Sequence, residues 1–418
     1  MIILTRRSGT ALLLVLVAGI LSSHAKAVRP LKNNQDVNNI FQFSQHKNML
    51  PDEISFCIVD LKFDGSLIKI CEFGEGIEST YKGYDALHGK GAMWSHVWRA
   101  LRTFNQPLWC TSKHYWQKNL ADIAGHEFTS HGGRFYTSQR GLEADHAFIK
   151  TQNPSNHGDL AVTPIVIMPS LGLAPDTIKK FKQHHPNTLV LGEVTTAFVK
   201  NKHATNALFN DSRFAPYKPK FKEYSTKYNA TLAATIINDL QAPLMVIKPL
   251  YAALGQGVII VAQKDLDTTL KLILASKKQL GRFGGDTSYS HWARNKDALF
   301  VVEEFVPSKT IYVHAKPYDG TMRVTFMLSN KAGRAGLAFL GAYWKLPAQP
   351  LDMEGSLNEK HKSNMKASRV SSAVVSDEDF VSVKKQLSVL LPELYHTMLV
   401  QSFATLQLAT LLQGDRDN

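Results

Sequence analysis

The chain has 418 residues, 44% of them hydrophobic, and a formal net charge of +13. That is length for two or three domains and apolar content for a large core, which excludes wholesale disorder. The charge suits anionic partners such as nucleotides, acidic peptides, membrane surfaces or nucleic acid, or a generally basic surface. Cys57, Cys71 and Cys110 make neither a zinc spacing nor a dense disulfide framework.

Residues 1–27 have the make-up of a secretory signal peptide. Arg6-Arg7 is a basic start, Ala11–Leu21 an apolar run, and Ala25-Lys26-Ala27 a small-x-small cleavage pattern, so the mature chain is expected to begin near Val28. The expectation is therefore an exported protein, periplasmic or secreted, with an uncleaved membrane anchor as the other reading. No later segment has transmembrane length. Residues 28–53 are Asn- and Gln-rich and predict a polar linker.

Residues 54–199 predict an amino-terminal α/β domain. Two apolar strands, ISFCIVDLKF and SLIKICEF, flank Asp64-Gly65, the signal for a hairpin. Cys57 and Cys71 flank that turn, as a disulfide or as two free thiols. Trp94, Val97, Trp98 and Leu101 recur at helical spacing and predict one buried face. His126 and His131 are one residue too far apart for the HExxH zinc motif. Thr163–Pro169 and Thr188–Val194 are β-branched strands around a helical stretch, Pro175–His185, the pattern of a βαβ unit.

Residues 200–348 alternate strands and helices. Asn201-Lys202 opens a predicted helix, His203–Phe209, and Thr231–Leu240 predicts another. The apolar run Leu244–Ile247 ends at Lys248-Pro249. Gly255-Gln256-Gly257 follows, and then the β-branched run Val258–Val261. Two strands joined by a loop with a lysine at its mouth and glycines at its tip suit an anion: glycine allows positive φ and lets N–H groups approach closely. Asp265–Leu280 predicts a helix and the glycine-rich Gly281–Asp297 a loop, a candidate lid. Leu299–Val306 is an apolar strand carrying Glu303 and Glu304. Thr310–Lys316 and Gly320–Leu328 predict a strand pair, and Gly336–Lys345 a further strand. Residues 349–418 predict a polar loop and one or two packed helices.

The order Lys-Pro, Gly-x-Gly-Val, then an apolar strand running into Glu-Glu-Phe-Val, resembles the ATP-grasp superfamily over roughly residues 200–345. The resemblance implies an α/β (α+β) fold in which two α+β subdomains enclose ATP behind an amino-terminal α/β domain. It implies a reaction that activates a carboxylate as an acyl phosphate for attack by an amine, on a small molecule, peptide or protein. Lys202 and Lys248, in order and 46 residues apart, match the family's two nucleotide lysines. Gly255 and Gly257 match its phosphate loop, and Glu303, Glu304 and the backbone to Val306 its adenine and ribose hinge. Arg323, after the acidic turn Tyr318-Asp319-Gly320, matches its catalytic arginine. ATP and Mg2+ are the implied cofactors. The chain departs from the family in having no Glu-x-Asn after residue 330, which leaves Asn358, Glu359 and Asn364 as the nearest metal candidates. Two other readings stand beside the ligase: an inactive nucleotide-binding protein, and a secreted basic α/β protein that takes an acidic polymer and no nucleotide.

Overall fold

The computed structural model describes residues 40–42, 52–102, 108–110, 134–136, 140–141, 144, 165–167, 182–183, 188–199, 201–252, 255–276, 278–280, 287–331, 334–363 and 371–414. His126, His131, most of Pro175–His185 and the metal candidate Asn364 lie outside them.

The elements follow in chain order. First come β1 (Ile40–Gln42), β2 (Glu53–Phe63), β3 (Ile68–Glu75), α1 (Glu78–His88) and α2 (Ala92–Arg102). Four short strands are next: β4 (Leu108–Cys110), β5 (Arg134–Tyr136), β6 (Ile165–Ile167) and β7 (Thr188–Val190). Then come α3 (Thr196–Val199), α4 (Lys202–Leu208), β8 (Phe221–Ser225), α5 (Leu232–Leu240), β9 (Leu244–Pro249), β10 (Ile259–Ala262), α6 (Leu266–Leu270) and α7 (Thr287–Arg294). The last part holds β11 (Leu299–Glu304), β12 (Ile311–Val313), β13 (Lys316–Tyr318), β14 (Thr321–Lys331), β15 (Arg334–Lys345), α8 (Leu357–His361), β16 (Ser372–Val374) and α9 (Asp377–Gly414).

The fold is mixed α/β, as expected, and its two main sheets are antiparallel. The central sheet runs β1-β15-β14-β2-β3, with β16 added beside β15. The predicted hairpin forms β2 and β3, but β2 also pairs with β14 along its length, from Met322↔Leu61 to Asn330↔Glu53. The central sheet thus joins residues assigned by sequence to the amino-terminal domain with residues assigned to the core after 200. The second sheet runs β10-β9-β11-β8. A small parallel sheet, β5-β4-β6-β7, carries both predicted βαβ strands side by side.

Alternation along β2 sorts its side chains. Val59, Leu61 and Phe63 share a core with Met322, Val324 and Phe326 of β14 and with Leu387, Leu391 and Leu394 of α9. The opposite face is apolar only at one end, where Phe56 and Met327 pack under Trp94, Val97, Trp98 and Leu101 of α2. At the other end that face carries Asp60, Lys62 and Arg323. The second sheet buries Met245, Ile247, Ile259, Phe300 and Val302 against α5, α6 and Trp292 of α7, and turns Lys248 and Glu303 the other way.

The start of β2 is tied to α9. Glu53 is buried, and the hydroxyls of Tyr395 and Ser55 both donate to its carboxylate. Thr195 donates in turn to Ser55, at 2.7 Å. No cation pairs with Glu53 in this network, so burial pushes its pKa up to about 7.

Several expectations are corrected, and two left open, the state of the cysteines and the number of carboxyl-terminal helices, are resolved. Cys57 and Cys71 are free thiols, with Cys57 opposite Glu75 in the register. The predicted loop 281–297 contains α7, because Trp292 needs burial and finds it against Phe300 and under the β9–β10 loop. Gly320–Leu328 does not pair with Thr310–Lys316. The chain turns through His314 and Ala315, both at positive φ, and β12 pairs with β13 instead, leaving β14 to join β15 and β2. The predicted helix over 265–280 is α6 followed by a π-helical turn, Lys271–Ala275. The polar stretch after 349 holds α8, closed by a capping box in which Ser356 and Glu359 bond each other reciprocally. The carboxyl-terminal segment forms one helix, α9. Among the described residues, no helix is long and apolar enough to cross a membrane.

Candidate functional site

The polar faces of the two antiparallel sheets meet at an irregularity in β3. Asp60 is opposite Glu72 and Leu61 opposite Ile70, so Cys71 is an extra residue, a β-bulge. A bulge residue's carbonyl falls out of the ladder and needs other donors. The Cys71 carbonyl takes Lys248 Nζ at 3.1 Å and Lys218 Nζ at 3.4 Å. Both lysines come from the second half of the chain: Lys248 from β9, Lys218 from the turn before β8. One strand defect therefore fixes two ammonium groups at the seam.

The same two lysines divide one carboxylate. Lys248 Nζ lies 2.5 Å from Glu303 Oε2, and Lys218 Nζ lies 2.6 Å from Glu303 Oε1. All three side chains are almost wholly buried. Burial drives the Glu303 carboxyl up, but the two lysines outweigh it and hold Glu303 below the usual carboxylate range. Burial presses Lys248 down, yet Glu303 leaves it above the ordinary lysine value. Lys218 ends below that value, since burial and the charge of Lys248 prevail there.

One strand further into the central sheet the pattern repeats. Arg323 of β14 sits opposite Asp60 of β2 in the register and donates to it bidentately, Nε and Nη2 each at 2.7 Å. Lys345 of β15 adds a bond at 2.8 Å. Burial would raise the Asp60 carboxyl, but Arg323 and Lys345 hold it well below the usual range. Lys345 is depressed by burial and by the neighbouring Arg323. A third set closes the group: Lys62 is 2.9 Å from Asp319, and His361 Nδ1 is 2.8 Å from its other oxygen. The His361 ring also meets Phe305 at 4.9 Å, edge on.

The glycine loop has the backbone expected of it. Gly255 and Gly257 adopt φ of 70° and 71°. The Trp292 indole donates to the Gly257 carbonyl at 2.9 Å, and Asp297 accepts from the N–H groups of Leu250 and Tyr251 at 3.1 and 3.3 Å. Lys202 begins α4, which Asn201 caps by accepting from the His203 and Ala204 N–H groups. Lys202 Nζ donates to the Ala252 carbonyl in this loop and faces Glu72 of β3 at 3.6 Å.

No family model matches the chain, and no curated protein matches it. Among the solved structures similar to it are the following three. A provisional gamma-glutamylcysteine synthetase from Methylobacillus flagellatus KT aligns over 86% of this chain and 90% of its own, at 10% identity and a TM-score of 0.40. A glutathione synthetase-like effector from Globodera pallida, in apo form, aligns over 71% and 75%, at 11% identity and a TM-score of 0.34. The D-alanine-D-alanine ligase from Coxiella burnetii aligns over 60% and 72%, at 9% identity and a TM-score of 0.25. At these scores the likeness is loose, and the chemistry of the cleft stands on its own side chains.

Lys202, Lys248, Gly255 and Gly257 gather around the β9–β10 hairpin, and Glu303 joins them through Lys248. Glu304 is turned aside: it accepts from the Lys220 N–H at 2.8 Å. Val306 lies two residues beyond the end of β11, outside its ladder. Arg323 lies across the seam, on the central sheet. The sequence reading missed Lys218, Asp60, Lys62, Asp319 and Lys345. A signal was present for two of them: Asp60 and Lys62 are charged residues two apart in an apolar strand, which places both on one face.

The described residues do not fit a divalent metal. Among them no group of three or more His, Cys, Asp or Glu could hold one. Asn358 accepts from the Ile260 N–H at 2.8 Å, and Glu359 is engaged in the capping box of α8. Both metal candidates within the described residues thus serve the backbone.

Proposed function

We propose that this chain is an exported ATP-grasp-like ligase that binds ATP in the seam between its two antiparallel sheets. The observation that carries the reading is the β9–β10 hairpin, with Lys248 on one strand, two left-handed glycines in the loop, and Lys202 bonded to that loop. Across from it stands the cationic pair Arg323 and Lys345. This arrangement offers backbone N–H groups and fixed positive charge to a triphosphate, both preorganised. The Phe305 N–H is taken by the Leu244 carbonyl at 3.0 Å, so it is the exit of β11 at Val306 that would offer backbone groups to the base.

In the proposed reaction a carboxylate oxygen attacks the γ-phosphorus, the bond to the β-phosphate oxygen breaks, and ADP leaves. An amine then attacks the acyl phosphate carbonyl, the carbon–oxygen bond breaks, and inorganic phosphate leaves with the oxygen it gained and the proton the nitrogen gives up. Arg323 and Lys345 would stabilise the charge on the transferring group. The acceptor is an amine on a small molecule, peptide or protein.

Thermal unfolding with and without ATP tests the site. A ligand present at ~100 times its Kd adds ~2.7 kcal/mol to stability, a measurable shift. The reading expects that shift in the wild type and its loss in Lys248→Ala. Equal shifts in both would remove Lys248 from the site.

A second reading, nucleotide binding without turnover, is favoured by the engagement of Asn358 and Glu359 in backbone bonds. It expects ATP binding with no phosphate release in any screen of amine acceptors. Export is tested separately, by expressing the full chain in a secreting host and sequencing its amino terminus: a mature end near Val28 is expected.

A further inference from the structure

Among the described residues, three buried carboxylates at the seam are each already shared between two basic groups. Asp60 holds Arg323 and Lys345, Glu303 holds Lys218 and Lys248, and Asp319 holds Lys62 and His361. Among the described residues two further acids lie nearby: Glu72 is partly exposed and faces Lys202, and Glu223, on the Glu303 face of the second sheet, pairs with His203. A magnesium ion requires oxygen ligands that it can approach to about 2.1 Å. Here the carboxylate oxygens already face basic nitrogens at 2.5–2.9 Å. Placing the ion at Asp60 would set it against a guanidinium and an ammonium group in a buried setting, where like-charge repulsion is strong.

The basic side chains also outnumber the acids. Lys62, Lys202, Lys218, Lys248, Arg323 and Lys345 stand against Asp60, Glu72, Glu223, Glu303 and Asp319, so the seam carries excess positive charge without a metal. Two of the six have the most open side chains, Lys202 at 19% and Lys345 at 17% exposure. Lys202 flanks the seam from the start of α4 and Lys345 from the end of β15, and their openness makes them the two that a phosphate can reach.

We propose that the seam binds the phosphates of its nucleotide as the metal-free polyanion, with Lys345 and Lys202 supplying the charge that a magnesium ion would otherwise bring. The proposal rests on the nucleotide reading above. It separates from that reading in the choice of probe, because inorganic tripolyphosphate presents the same charge without a base.

The test is isothermal titration calorimetry of the purified full chain with ATP and with inorganic tripolyphosphate, each in EDTA and in excess Mg2+. The expected result is an ATP affinity in EDTA within about threefold of that in Mg2+. Lys345→Met and Lys202→Met should each weaken ATP in EDTA by about tenfold, the scale of one charge-assisted phosphate contact. Ligand-free unfolding midpoints show that each variant is folded. Lys202 lies at a helix start, so its variant keeps the test open if Lys345→Met does not fold. ATP binding that requires Mg2+, or affinities unmoved in both folded variants, would overturn the metal-free site and leave the nucleotide reading standing. Tripolyphosphate binding in EDTA without ATP binding would do the reverse. Binding of neither would overturn both.

Discussion

Lys248 and Glu303 stand on neighbouring strands, Lys248 opposite Val301 and Glu303 opposite Val246, and meet at 2.5 Å on the face turned toward the central sheet. Lys218 completes the set from the far side of Glu303. The carboxylate is the shared member, and its loss leaves two ammonium groups buried together.

Stability should therefore respond unequally to the three members. Glu303→Gln is expected to cost about 3–5 kcal/mol, the cost of stranding buried charge. Lys218→Met leaves Glu303 paired with Lys248 and should cost clearly less. Urea unfolding of both variants measures this, and a larger loss in Lys218→Met would show that Glu303 is not the keystone.

The two loop glycines should differ in their tolerance of alanine. Both sit in the left-handed region, where a Cβ costs about 1–2 kcal/mol. At Gly255 the Cβ would meet only Lys362 Cε, at 3.7 Å. At Gly257 it would come within 2.7 Å of Pro249 Cγ and 2.9 Å of His291 Cδ2. Gly257→Ala should cost about 1–3 kcal/mol more than Gly255→Ala, the overpacking increment, and weaken ATP more. Equal denaturation midpoints would contradict this.

Glu53 gives the protein a pH dependence of defined sign. Its folded pKa, about 7, lies above the ordinary 4.5. The stability it contributes is fully present below pH 4.5 and is lost as pH rises toward 7. The gap corresponds to roughly 3 kcal/mol. Glu53→Gln cannot ionise, so the difference in unfolding free energy between variant and wild type should shift in the variant's favour by that order from pH 4.5 to pH 8. A constant difference across that range would place an ionised carboxylate at position 53.

Trp292 reports on the loop it supports. Its indole N–H holds the Gly257 carbonyl, so phosphate binding at Gly255–Gly257 should change its fluorescence. Trp292→Phe should remove that change and cost about 1–3 kcal/mol for the orphaned carbonyl. An ATP-dependent signal that survives in Trp292→Phe would arise at another tryptophan.

Three of the four strands of the second sheet were legible because local composition decides them: Leu244–Ile247, Val258–Val261 and Leu299–Val302 are apolar runs bounded by Pro, Gly or charge. The Asn201 cap and the face of α2 were legible for the same reason, as each is set within one or two helical turns. What escaped depends on distance along the chain. Arg323 was picked out, but its partner Asp60 lies 263 residues earlier and nothing local joins them. Lys218 is one of several basic residues in a short polar stretch, and only the bulge at Cys71 and the carboxylate of Glu303 set it apart. Gly281–Asp297 read as loop from its glycines, whereas the burial of a single Trp292 determines that it carries a helix.

The pairing of β2 with β14 also bears on how the chain is made. The hairpin of β2 and β3 leaves the ribosome early, with its outer edge lacking the strand that will cover it. At roughly 5–20 residues per second, the 263 residues from Asp60 to Arg323 take on the order of tens of seconds to synthesise. The central sheet can close only after that interval, and Glu53 receives Tyr395 later still. Until then an apolar strand edge, Ile54 to Leu61, stays open to association with other chains.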